Sequence, residues 1–173
     1  MLSRTEVLRL GFRRAGGRKY AELCALAWRQ SFAACKVVAG KDGQPLMFSK
    51  ENGSNGCMGT VDLIYPQAPH LLAYAPTLMK ATIAPIMLYA SSDRWPYPYA
   101  PHDVGIYPHG IEQNYSWGWK FTDGWRMPVE ESGNMLIVLG ALSKFEGNAG
   151  FASRWWPTVK EWAESLEKDG FDP

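Results

Sequence analysis

The sequence predicts a mainly α-helical fold with short β-hairpins and long loops. Three observations point to it. Apolar residues recur at helical spacing in four stretches, period-two alternation is confined to short runs, and the intervening segments are dense in proline and glycine. The chain has 173 residues, the length of one domain and enough to bury a core. With 46% hydrophobic and 20% charged residues it is globular rather than disordered. A net charge of +1 gives no field to hold nucleic acid or an anionic membrane, so neither partner is expected. The longest apolar runs, at 86–90 and 135–139, are too short to span a bilayer, and the N-terminus lacks an apolar signal core.

Residues 1–17 form a basic segment that ends in Gly16-Gly17, and 18–173 read as one domain. A helix follows the break. Tyr20, Leu23, Cys24, Ala27, Ser31, Ala34, Cys35 and Val38 make its apolar stripe, so Cys24 and Cys35 are expected as buried free thiols and the helix to give out near Val37–Gly40. Lys41-Asp42-Gly43 is a turn signal between apolar runs and predicts a hairpin. The loop from Ser49 to Gly56 offers Lys50, Glu51, Asn52 and Asn55 either to a ligand or simply to solvent. Thr60 can cap a short helix that Pro66 and Pro69 should stop. Pro76 suits the first turn of the next helix, where Met79, Ile83, Ile86, Met87 and Ala90 form the buried face and Pro85 should introduce a kink.

From Tyr97 to His109 the chain carries Pro98, Pro101 and Pro108, three tyrosines, His102 and a single carboxylate, Asp103. Neither a helix nor a central strand tolerates this, so it is a stiff loop. Asp103 there is a working acid or a turn cap, and both readings stay open. Tyr115, Trp117, Trp119 and Phe121 alternate with polar residues and predict a strand, with a partner after Asp123-Gly124. Pro128 opens a helix with Glu130 and Glu131 in its first turn, where carboxylates favour the positive end of the dipole. Its run Met135–Leu139 is apolar all round, which places this helix centrally. One of the two glutamates should then face a cavity. A last helix over about 153–168 has Trp155, Val159, Trp162 and Leu166 as its stripe, ended by Gly170.

Acids thus sit at loops and helix entries: Glu51, Asp62, Asp103, Glu130 and Glu131. That arrangement follows the logic of an α/α toroid, in which loops at one end of the helices build a cleft. There is no phosphate loop, no nucleophile elbow and no zinc-ligand spacing, so no cofactor and no metal is expected.

Phe48-Ser49-Lys50-Glu51-Asn52, Ser54-Asn55-Gly56, Thr60-Val61-Asp62-Leu63-Ile64-Tyr65-Pro66, Tyr99-Ala100-Pro101-His102-Asp103-Val104-Gly105 and Pro128-Val129-Glu130-Glu131-Ser132-Gly133-Asn134-Met135 together resemble the central domain of the glutaminase A family. The resemblance runs from about Gly17 to Pro173. It implies part of an (α/α)6, six-hairpin glycosidase-type toroid belonging to a large, secreted fungal or bacterial parent, with further helices and domains as partners. It also implies hydrolysis of glutamine to glutamate and ammonia. The tryptophan-rich stretch Ile111–Trp125 looks like an insertion in the family pattern.

For that chemistry, Asp103 and Glu130 are the expected catalytic pair. Asp103 is the acid withdrawn from water, and Glu130 is the ionised base or nucleophile at a helix start. Lys50, Glu51, Asn52, Asn55, Asp62, His102, Glu131 and Asn134 are the expected substrate contacts. Two alternatives use the same residues: a glycosidase with paired carboxylates and stacking tryptophans, or a non-catalytic helical domain that binds carbohydrate.

Overall fold

A computed structural model describes residues 3–51, 53–110, 113 and 126–170, with Arg4 in its backbone alone. It is mainly helical, as the sequence predicts, and divides into two compact units, Met1–Cys35 and Lys36–Pro173.

The first unit is helix α1 (Arg4–Ala33). Ser3 and Glu6 form a reciprocal capping box at its start: Glu6 N donates to Ser3 Oγ and Ser3 N to Glu6 Oε2. The helix breaks at Gly17, whose φ of 80° and ψ of −172° lie outside helical geometry and are open to glycine alone. The two arms then fold back on each other. Phe12 meets Tyr20 edge-on at 6.4 Å, and Thr5, Leu8 and Phe12 line one cavity with Ala25 and Trp28. Ala21 is buried, whereas Tyr20 and Leu23 are exposed and Cys24 and Cys35 only half-buried, so the expected buried stripe is not formed. The helix also ends earlier than the stripe implied, at Ala33. The β-branched pair Val37-Val38 goes into a strand instead.

The second unit opens with that hairpin. Strands β1 (Lys36–Ala39) and β2 (Pro45–Phe48) pair antiparallel, with Val37 opposite Met47, around a turn in which Gly43 takes a positive φ. Helices α2 (Val61–Tyr74), α3 (Pro76–Ala90), α4 (Pro128–Glu146), α5 (Gly150–Ser153) and α6 (Trp156–Asp169) follow. α2 packs on α3 and α4, α3 on β2, and α4 on α6. Only Ala75 separates α2 from α3, and the proline after it excludes a helical conformation there.

Pro66 and Pro69 do not stop α2, contrary to the sequence expectation. An interior proline costs a helix about 3 kcal/mol. The stripe Val61, Ile64, Ala68, Leu71 and Leu72 is buried on that helix, and a full side chain's burial contributes about 1.5–3 kcal/mol, so the stripe outweighs the prolines. α4 is likewise two-faced rather than apolar all round: Met135, Val138, Leu139 and Leu142 are buried while Ile137 is 57% exposed. The strand pair expected around Trp117–Trp125 lies outside the described residues.

Trp162 is fully buried on α6, the helix that packs on α4. Trp162→Ala should lower stability by about 3–5 kcal/mol. Urea unfolding followed by far-ultraviolet circular dichroism checks this, and a shift within error would show that the tryptophan is not a core anchor.

Candidate active site

Three segments meet at one end of the second unit, and backbone hydrogen bonds fasten them. Val61 N at the start of α2 donates to His102 O (2.8 Å). Val104 N donates to Met58 O (3.0 Å), and Met58 N to Gly105 O (2.8 Å). Glu51 N donates to Cys57 O (2.8 Å). On the other side, the buried Ser132 Oγ in the first turn of α4 accepts from Ala100 N at 3.0 Å. The proline-rich loop is thus tied to both helix starts. Further back, Trp95 Nε1 donates to Tyr99 O, and Trp95, Tyr97 and Tyr99 pack ring against ring, Tyr97 stacking on Tyr99 at 5.3 Å.

These ties bring together Asp62, His102, Asp103 and Glu131. Asp103 is fully buried. Its Oδ2 lies 2.7 Å from His102 Nδ1, and its Oδ1 accepts from Gly105 N at 2.7 Å. Gly105 has a φ of 119°, a conformation that L side chains rarely adopt. The other ring nitrogen, His102 Nε2, is 4.0 Å from Asp62 Oδ1 and 4.0 Å from Glu131 Oε1. Those two oxygens are buried and have no hydrogen-bond partner. Glu131 Oε2 accepts from Asn134 Nδ2 at a long 3.4 Å. The thiol of Cys57 is also near, within 4.8 Å of His102 and Asp103 ligand atoms.

Burial pushes the Glu131 carboxyl up to about 8. The charges of Asp62 and Glu130 add to this, while His102 and the Asn134 hydrogen bond work against it. For His102 the largest single influence is burial, which lowers its basicity. The hydrogen bond and charge of Asp103 and the charges of Glu131 and Asp62 outweigh it, so the ring sits above its usual value.

The glutamate pair divides according to helical geometry. Glu131 continues the buried stripe of Met135, Val138, Leu139 and Leu142, and Glu130 is off that stripe and exposed. Glu51 receives a hydrogen bond from Thr60 Oγ1 at 3.4 Å, so the Thr60 side chain is turned there and makes no bond to the α2 backbone. Asn55 Oδ1 caps Cys57 N, and Lys50 Nζ sits 4.8 Å from the centre of the Tyr107 ring. Asn52 lies outside the described residues.

Because Ala100 is fully buried, Ser132→Ala would strand its N–H without the hydroxyl acceptor. That should cost about 1–3 kcal/mol. It should also speed amide exchange at Ala100 more than at the α3 core, which hydrogen-exchange mass spectrometry resolves. Unchanged exchange at Ala100 would mean that the hydroxyl is not what holds the loop.

Comparison with known proteins gives one family match: residues 17–173 match the glutaminase A six helical-hairpin domain. Glutaminase A of Aspergillus oryzae is 34% identical over 160 residues, which is 92% of this chain and 22% of that protein. A protein named "Probable glutaminase" from Arthroderma benhamiae is 32% identical over 161 residues, 87% of this chain and 17% of its own length. The chain therefore spans about a fifth of the curated relatives it matches. No solved structure matches it.

Proposed function

The chain belongs to the glutaminase A six helical-hairpin family, and on that premise we propose that its second unit carries the reacting centre of a glutaminase-type amidohydrolase, formed by Asp62, His102 and Glu131. The observation that carries the reading is their convergence: an imidazole nitrogen and two partnerless carboxylate oxygens turned toward one point, 4.0 Å from the nitrogen to each oxygen. Buried polar atoms left unsatisfied are costly, and two of them converging with an imidazole nitrogen on one point fit a place that meets a reactant.

A water at that point is held by His102 and Glu131. It attacks the carboxamide carbon of glutamine. Its proton passes to Asp62, whose side chain is the most open of the three at 33% exposed, and from there to the departing nitrogen, which leaves as ammonia. The carboxamide C–N bond breaks and a carboxylic acid is formed, so atoms balance with water as the sole co-reactant. Asp103 positions His102 through Nδ1 and is shielded from the substrate by its own burial. Lys50, Asn55 and Asn134 border the segments of this centre and are the groups to hold the amino-acid head.

Ammonia release from glutamine, run beside a panel of nitrophenyl glycosides, tests the substrate class. Asp62→Asn and Glu131→Gln should each lower the glutaminase rate by at least about a hundredfold with the fold retained. Glu130→Gln should leave it within a few-fold, because that side chain faces solvent. Glycoside cleavage without ammonia release would overturn the amidase reading. Loss on Glu130→Gln with activity kept on Glu131→Gln would move the centre to the other glutamate.

A further inference from the structure

The geometry points to a divalent transition-metal site whose ligands are Asp62 Oδ1, His102 Nε2 and Glu131 Oε1. The three atoms lie within 4.8 Å of one another. At 4.0 Å the imidazole nitrogen is beyond hydrogen-bond reach of either oxygen, since such bonds end near about 3.2 Å. The groups therefore face each other without satisfying each other. For atoms so spaced, a point equidistant from all three is roughly 2.2–2.5 Å from each, close to metal–ligand distances and reached with small side-chain shifts.

Two independent features support a cation there. Glu131 is 0% exposed and its Oε1 has no hydrogen-bond partner. No lysine or arginine among the described residues pairs with Glu131 or Asp62. A buried carboxyl in that position is neutralised by a proton or by a bound cation, and a cation would also give the partnerless Oε1 a ligand bond. The second feature is the support behind the histidine. Asp103 Oδ2 at 2.7 Å engages Nδ1, so in the neutral ring the proton resides there and the Nε2 lone pair faces the two oxygens. Asp103 is itself held by Gly105 N. This carboxylate–histidine arrangement is how metal-binding imidazoles are commonly oriented. The neighbouring grouping of Cys57, His102 and Asp103 is less suited, because both Asp103 oxygens and Nδ1 are already engaged with each other or with backbone.

One imidazole with two carboxylates favours Zn2+ or Mn2+ over Ca2+ or Mg2+, which take oxygen ligands. Three protein ligands leave at least one position open for water. At the centre proposed above, a bound cation would take the point between Asp62 Oδ1, His102 Nε2 and Glu131 Oε1 in place of the water, the attacking water would move to the cation's open position, and Asp62 Oδ2 would stay free to take its proton.

The test uses the full 173-residue chain after treatment with chelator, titrated with Mn2+ by electron paramagnetic resonance and with Zn2+ by calorimetry. One equivalent of either should bind and raise the thermal midpoint. Glu131→Gln and Asp62→Asn should each weaken binding by at least about 100-fold, and Asp103→Asn by roughly 10–100-fold. A Cys24→Ser, Cys35→Ser double variant should bind as the parent does, which separates this site from adventitious binding at those two thiols. Circular dichroism confirms that the variants fold. Absence of stoichiometric binding by the parent chain, binding untouched by Glu131→Gln and Asp62→Asn, or tighter binding of Ca2+ than of Mn2+ would each overturn the inference. Binding is read without substrate, so its failure is separable from absence of ammonia release.

Discussion

Val61 N donating to His102 O, with Ala100 N donating to Ser132 Oγ on the opposite side, is the pair of fastenings on which the site depends. A loop with this many prolines has few backbone donors and cannot build a ladder of its own. Its position has to come from what the neighbouring elements offer. The start of α2 provides a free N–H and the start of α4 a hydroxyl, both at helix ends where unsatisfied groups are normal. Holding the loop at two points fixes His102 beside Asp62 and Glu131, which the same two helix starts carry, with Asp103 behind the ring. Scaffold and chemistry thus share anchors. A change that frees the loop should disperse the site before it unfolds the helices.

Much of the architecture was legible because single residues decide it locally. Asp42-Gly43 makes its hairpin, Pro76 and Pro128 open their helices, and Gly170 closes the last one. The misread elements are those where a local rule met a stronger non-local one. Pro66 and Pro69 read as terminators, yet the helix runs through them because its stripe is buried against α3 and α4. Val38 read both as the end of a helix stripe and as part of the apolar arm before the hairpin turn, and it belongs to β1. The α4 run read as apolar all round, but hydrophobicity does not reveal which side of a helix has a neighbour, and Ile137 is largely exposed.

At the proposed centre the segments were easier to see in the sequence than the individual side chains that converge there. The loop around Asp103 and the first turn of α4 were visible from proline and charge. What composition alone could not separate was Glu130 from Glu131. Counting back along the stripe from Leu142 through Val138 and Met135 arrives at Glu131, so the signal was there in the spacing. His102 had none of that help, because a histidine beside an aspartate looks the same whether it is exposed or braced. The cluster that could hold a cation was invisible to short-range spacing for a simple reason: positions 62, 102 and 131 come from three separate segments.

The placement of Glu131 on a core stripe bears on how such a chain could change over time. An apolar residue of similar size at that position would extend the packing of Met135 and Val138 and remove a buried acid. By the usual trade between stability and activity, it should make the fold firmer. The most accessible improvement in robustness is therefore one that also removes the acid of the proposed centre. A lineage released from selection for activity would have a short path downhill to an inert, sturdier helical domain, and the acid at 131 serves as a readable mark of whether that path has been taken.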